Sequence, residues 1–267
     1  MYDAIKERVK ELLTTGEVKG FLALKNENGH IKPHLYVSSD EIDQLSIGDG
    51  ETAGDARYPL AKILTMLLQN HSGERFGILV RGCDQRALKA LTAWNQIYSE
   101  QVVSIGVACS EELAQACACA LPYPDKWLEG EQVEPKDPRP VEWEEKSPLQ
   151  RLELWRAEFE KCIKCYGCRN ICPMCFCKEC SLESEDVVTK GEIPPDLPMF
   201  HLVRALHMIG RCVDCGLCEE ACPASIPLRA LYKKVNDIVE TRFQFRAGIE
   251  QTEQSPLHKI AEPPAAI

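Results

Sequence analysis

One cysteine pattern occurs twice in this chain, with identical spacing and a closing proline in each copy. The first copy is Cys162-Ile-Lys-Cys165-Tyr-Gly-Cys168-Arg-Asn-Ile-Cys172-Pro173, and the second is Cys212-Val-Asp-Cys215-Gly-Leu-Cys218-Glu-Glu-Ala-Cys222-Pro223. Each reads C-x2-C-x2-C-x3-C-P, the spacing that wraps three thiolates around one four-iron cube and sends the fourth cysteine to the other cluster. Two copies in register are hard to obtain by chance, so two 4Fe-4S clusters are expected, with zinc or a bare thiol array as the alternative. By the usual crossing, one cluster takes Cys162, Cys165, Cys168 and Cys222, and the other takes Cys212, Cys215, Cys218 and Cys172. The two motifs then staple each other, and metal binding supplies much of the folding energy of so small a region.

The 267 residues suffice for two domains, each with its own small core. Fifteen cysteines would suggest disulfides in a secreted chain, but MYDAIKERVKELL has no apolar signal stretch and no apolar run is long enough to span a bilayer. A cytoplasmic, reducing setting is expected, where thiolates stay free to ligate iron. The formal charge of -10 argues against a nucleic-acid binder. Lys161, Lys164, Arg169, Lys178, Arg204 and Arg211 offer local compensation for anionic clusters, or simply a solvated charge pattern.

Along the chain, VKGFLAL and IKPHLYV read as strands joined by the turn Asn26-Glu27-Asn28-Gly29. After Pro59, residues Leu60, Ile63, Leu64, Leu67 and Leu68 fall on one helical face. FGILVRG is a buried strand, followed by a helix with Ala87, Leu88, Leu91, Trp94 and Tyr98 inward, then the strand VVSIGVA and a helix from Glu111. Strand–helix–strand–helix at this spacing predicts an α/β domain over residues 1–120 with a small parallel or mixed sheet. Residues 121–149 are rich in proline and acid and read as a linker. A mainly α-helical two-cluster ferredoxin domain is expected over 150–247, since the stretch between the motifs is long for a β-hairpin ferredoxin and includes the helical MFHLVRALHMIGR. Residues 248–267 read as a loose or partner-docked tail.

Seven further cysteines lie outside the doubled pattern. Cys83 and Cys109 end two predicted strands that, as parallel neighbours, bring them to one edge of the sheet, near helix N-termini whose dipole favours a thiolate. They read as ligands or a cofactor-site pair, against two small buried residues. Cys117 and Cys119 could complete a third 4Fe-4S site if the helix from Glu111 ends early or folds back; unbroken, it carries Cys117 roughly 10 Å from Cys109. Cys175, Cys177 and Cys180 are one ligand short of a further site, a fourth cluster or a zinc ion, and are otherwise packed or free. His201 and His207 could serve zinc but read more simply as surface or packed helical residues. The loop Gly48-Asp-Gly50-Glu-Thr-Ala-Gly54 is GxGxxxG, and Asp49, Glu51 and Asp55 would repel phosphate, so a mobile acidic loop is the better reading.

GRCVDCGLCEEACPASIPLRALYKKV resembles the second cluster segment of the helical ferredoxin modules in Rnf-type C subunits, heterodisulfide reductase C subunits and succinate dehydrogenase iron–sulfur subunits. Gly82-Cys83-Asp84-Gln85 and Ile105-Gly106-Val107-Ala108-Cys109 resemble the two strand-end signatures of the coenzyme F-420 hydrogenase and dehydrogenase beta-subunit family. That resemblance implies a flavin, FAD, beside a cluster and electron exchange with the deazaflavin. The α/β part is shorter here than in a full member, and the ferredoxin module follows it instead of preceding it.

No Ser–His–Asp set, metalloprotease motif or P-loop occurs. The expected function is that of a multi-cluster electron-transfer subunit, with redox protein subunits of a hetero-oligomeric anaerobic oxidoreductase complex as partners. The resemblance points to hydrogenase, formate dehydrogenase, aldehyde oxidoreductase or heterodisulfide-reductase-like assemblies. The rival is a flavin-containing subunit that reduces a diffusible cofactor at the Cys83/Cys109 edge. A third reading is a metal-stapled assembly protein.

Overall fold

The computed structural model describes residues 2–49, 52, 54–136, 143, 145–195, 198–251 and 254–257. The chain divides into two compact units, Met1–Pro138 with Gly248–Glu253, and Arg139–Ala247 with Gln254–Ile267.

The first unit is built on a mixed sheet. β1 (Gly20–Glu27) and β2 (His30–Tyr36) form an antiparallel hairpin. Asn28 and Gly29 at its tip both have positive φ, 55° and 86°, as a tight two-residue hairpin turn requires. On its other side β1 pairs in parallel with β4 (Phe76–Val80) through Gly20–Leu22, and antiparallel with the short β3 (Leu45–Ser46) through Leu24 and Lys25. β4 pairs in parallel with β5 (Val102–Gly106). β4 is buried along its whole length, whereas the edge strand β2 is exposed at His30 and Lys32 and fully buried only at Tyr36. The helices are α1 (Asp3–Thr14), α2 (Leu60–Asn70), α3 (Gly82–Ala93) and α4 (Glu111–Ala116). Ile5, Val9 and Leu12 of α1 meet Phe21, Ala23, Tyr36, Leu79 and Ile105 in one core.

Two expectations need correction here. Tyr98 is exposed, because α3 ends at Ala93 and Asn95 turns left-handed at φ 55°; Ile97 is buried in its place. Residues 121–130, read as linker from composition, are seated on the carboxyl ends of the central strands. Cys109 N–H donates to Pro122 O, Ala108 N–H to Glu129 O and Leu128 N–H to Gly106 O, at 2.9, 3.0 and 3.0 Å. Gly82 and Gly106 permit this approach, since a Cβ on Gly106 would lie 1.9 Å from Lys126 O. Residues 137–142 and 144 of that stretch lie outside the described residues.

The second unit is helical among its described residues: α5 (Pro148–Phe159), α6 (Gly167–Asn170), α7 (Met199–His207), α8 (Leu217–Glu220) and α9 (Leu228–Phe243). Ser147 caps α5 with a reciprocal Gln150 contact, and Pro148 sits in the first turn, where its missing N–H costs nothing. The start of the expected tail is not loose. Gly248 belongs to the first unit, where Lys89 Nζ donates to Ile249 O at 2.9 Å, and Ser255 is buried in the second. The remainder of the tail, 258–267, lies outside the described residues. Among the described residues no helix is long and apolar enough to cross a membrane.

Candidate metal centres

Both copies of the cysteine pattern fold alike. The residue before the second cysteine is left-handed in each, Lys164 at φ 54° and Asp214 at 55°, and so is the residue after it, Tyr166 at 58° and Gly216 at 80°. A one-turn helix then carries the third cysteine, α6 in the first copy and α8 in the second. These turns aim backbone donors at sulfur. Lys164 N–H donates to Cys162 Sγ and Gly167 N–H to Cys165 Sγ, each at 3.4 Å, a contact that favours the thiolate a metal needs. A tyrosine in the left-handed region is strained, and three contacts hold it. Its hydroxyl donates to Leu182 O at 2.9 Å, its ring meets Phe200 edge-on, and the Arg169 guanidinium lies 4.7 Å above it. In the second copy Arg229 grips Asp214 through two nitrogens, at 2.6 and 3.1 Å, and fixes that turn.

α6 packs against α8, which brings the fourth cysteine of each copy near cysteines of the other. Cys162 and Cys168 feel the charge of Cys165 and Cys222. Cys172, Cys212, Cys215 and Cys218 line one cavity, together with Pro173, Met174, Arg204 and Tyr232 among others. Burial pushes the Cys212 thiol up to about 12 and raises Cys218 as well. Cys172 goes the other way, to about 6, because a hydrogen bond with Cys175 and the Arg204 charge outweigh its burial.

Cys175, Cys177 and Cys180 diverge. Cys175 is engaged with Cys172, Cys177 accepts from Arg211 Nη1 at 3.8 Å, and Cys180 packs with Cys162 and Tyr166 on a small core of Leu182, Val188 and Phe200. Cys175 also stands in register with Ser225 of the second copy: each donates its N–H back to the fourth cysteine's carbonyl. His201 is buried among aromatic rings, with neither ring nitrogen partnered. Among the described residues no group of three or more His, Cys, Asp or Glu is gathered so as to hold a single metal ion. A four-iron cube keeps its thiolates at separate corners, farther apart than the ligands of one ion.

In the first unit, Cys83 lies in the first turn of α3 and Cys109 just before the Ser110 cap of α4, both at the carboxyl edge of β4 and β5. α4 does end early. Cys117 caps it, Ala118 turns left-handed at φ 41°, and Cys119 N–H donates back to Ala114 O. Cys109 consequently feels Cys83, Cys119 and Cys117 together. The expected helix-dipole stabilisation of these two thiolates is outweighed, since burial pushes Cys83 up to about 11 and Cys109 to about 12. Arg57 Nη1 donates to Cys117 Sγ at 3.4 Å, and Arg81 and Arg86 also act on the set. The acidic loop is no phosphate cradle over its described part, because Asp49 accepts from Gly54 N–H and from Arg81, which also donates to Ile47 O. Gly50, Glu51 and Ala53 lie outside the described residues.

Sequence reasoning missed Tyr232, Arg229 and the arginines of the first unit. Tyr232 carried a readable signal, a phenol on the apolar face formed by Leu228, Leu231 and Val239 of α9.

No protein-family model matches the chain. It is 27% identical over 254 residues to the F420-dependent formate dehydrogenase subunit beta of Methanocaldococcus jannaschii, covering 94% of this chain and 60% of that protein. It is 41% identical over 128 residues to the F420-dependent formate dehydrogenase 1 subunit beta of Methanococcus maripaludis, covering 48% of this chain and 28% of that protein. The chain thus spans less than two thirds of the length of either relative. The first match runs through both units. The likeness to beta subunits of F420-dependent dehydrogenases stands on both matches.

Proposed function

We propose that this chain is an iron–sulfur electron-transfer subunit of a cytoplasmic anaerobic oxidoreductase complex. It would relay electrons between a catalytic subunit, of the formate dehydrogenase kind that the relatives' names suggest, and a second redox partner. The observation that carries the reading is the doubled cysteine cradle, in which the fourth cysteine of each copy stands with three of the other. Cys162, Cys165, Cys168 and Cys222 would hold one 4Fe-4S cube and Cys172, Cys212, Cys215 and Cys218 another; Cys83, Cys109, Cys117 and Cys119 are the candidates for a third. Bound cubes supply one-electron storage at potentials set by burial and by hydrogen bonds to sulfur. The chain's own part is to exclude water, to offer N–H donors to the thiolates, and to release thiol protons on loading, which the raised values at Cys83, Cys109 and Cys212 make substantial.

A second reading, favoured by the strand-end cysteines of the first unit, is a flavin-containing subunit reducing a diffusible cofactor there. Anaerobic isolation from the native source separates the two. The relay reading expects a brown protein co-purifying with a catalytic oxidoreductase subunit, with no flavin and no turnover alone. A flavin-bearing monomer that by itself couples a physiological donor to an acceptor would replace it.

A further inference from the structure

Two polar side chains buried in the second unit each keep one donor atom unmatched, although Arg204 also reaches Cys168 O and Cys172. Arg204 of α7 is 2% exposed and Tyr232 of α9 is 1% exposed. Neither Arg204 Nε nor the Tyr232 hydroxyl has a hydrogen-bond partner. An unmatched buried donor is costly, and more so where the group is charged, so each one in a folded chain calls for a group that meets it. Both residues line the cavity formed by Cys172, Cys212, Cys215 and Cys218. The guanidinium carbon lies 5.4 Å from the centre of the Tyr232 ring, so the phenol face is one of its supports.

Arg204 also reaches the other cysteine set, since its Nη2 lies 3.4 Å from Cys168 O. Among the cations singled out from sequence near the motifs, it alone is buried. Arg169 pairs with Glu183 at the surface, and the Arg211 guanidinium lies over the Phe176 ring. A guanidinium stays charged at any working pH, and in a dry interior its field is weakly screened. A reduced cube carries one more negative charge than an oxidised one, so a fixed cation beside it favours reduction.

We propose that Arg204, braced by Tyr232, is a fixed internal counter-charge and hydrogen-bond donor for the cube held by Cys172, Cys212, Cys215 and Cys218, and that it raises the reduction potential of that cube above that of its neighbour. The inference rests on the cluster reading above. A cube bound there would then be the one of the pair that is reduced first, with Arg204 supplying the fixed charge that favours it. The side chain acts through the cluster's environment, as a positioning residue, and forms no bond to iron.

The test is a redox titration followed by electron paramagnetic resonance on anaerobically loaded Arg204→Gln, Arg204→Lys and Tyr232→Phe proteins, each with iron and sulfide content measured first. At full content, Arg204→Gln should lower the potential of the cube held by Cys172 by at least the 59 mV that corresponds to a tenfold change in the one-electron ratio. The cube held by Cys162 should shift less. Arg204→Lys should recover part of the shift, and Tyr232→Phe should give a smaller fall. Unchanged potentials at full iron content would overturn the counter-charge role while leaving the clusters standing. Absence of four-iron signals in the unaltered protein would instead remove the cluster reading itself. Should Arg204→Gln fail to load, Arg204→Lys and Tyr232→Phe still decide the matter, since wild-type potentials in both would count against it.

Discussion

His201 stacks on Phe159 with ring centres 4.3 Å apart and meets Phe200 edge-on at 5.2 Å. Trp155 also stacks on Phe159, with ring centres 5.4 Å apart. The imidazole is 1% exposed and neither nitrogen has a partner, so a proton placed there would find no acceptor. Burial accordingly lowers its pKa to about 4. Because the folded value is depressed, the unfolded chain takes up the proton first as pH falls. The stability is whole above the unfolded value near 6.5 and is lost progressively as pH drops toward 4. At about 1.36 kcal/mol per unit, the loss at pH 5 is about 2 kcal/mol. His201→Phe keeps the stack and removes the titration. Urea unfolding of the loaded protein at pH 7.5 and pH 5 should show the variant losing about 2 kcal/mol less than the parent across that interval. Equal losses in the two proteins would show that this ring does not carry the acid sensitivity.

At the scale of elements, the segment over the ends of β4 and β5 shows where composition misleads. Prolines and acids made residues 121–149 look like a linker, yet composition says nothing about whether a backbone finds partners. Here it does, through Pro122, Leu128 and Glu129, and the glycines opposite are the residues that permit it. Gly106→Ala should therefore cost about 3 kcal/mol by overpacking, read as a lower thermal midpoint of the loaded protein; an unchanged midpoint would mean that the segment is not seated there. The hairpin, the central strands and α2 were legible because alternation, continuous apolar runs and a one-faced helix leave direct marks on sequence. The end of α4 was not, because it depends on a left-handed alanine, a conformation that no residue preference announces. The cysteine cradles lay between these cases. Their spacing named the candidates, but the left-handed Tyr166 and the Arg229–Asp214 clamp that shape the loops depend on contacts between residues remote in sequence.

Taken whole, the chain carries a separate thiol set in each of its two units, and this makes the proposed cluster inventory separable by experiment. In the first unit, Cys83, Cys109, Cys117 and Cys119 are drawn together by the early end of α4, with Arg57, Arg81 and Arg86 acting on the set. In the second unit Cys172 shares a cavity with Cys212, Cys215 and Cys218, and Cys222 lies near Cys162 and Cys168. A formal charge of -10 before any anionic cube is added makes such internal arginines the natural means of holding further negative charge in the fold. If all three sets are occupied, anaerobic analysis should find about twelve iron and twelve sulfide per chain from three four-iron cubes. Cys83→Ser combined with Cys109→Ser should then remove about four of each, while the paramagnetic signals of the two cubes in the second unit keep their line shapes and potentials. Iron content that does not change would show that the first unit holds thiols and no cluster. Loss of iron from the second unit as well would show that the sets do not assemble independently, and the relay would have to be understood as one cooperative fold.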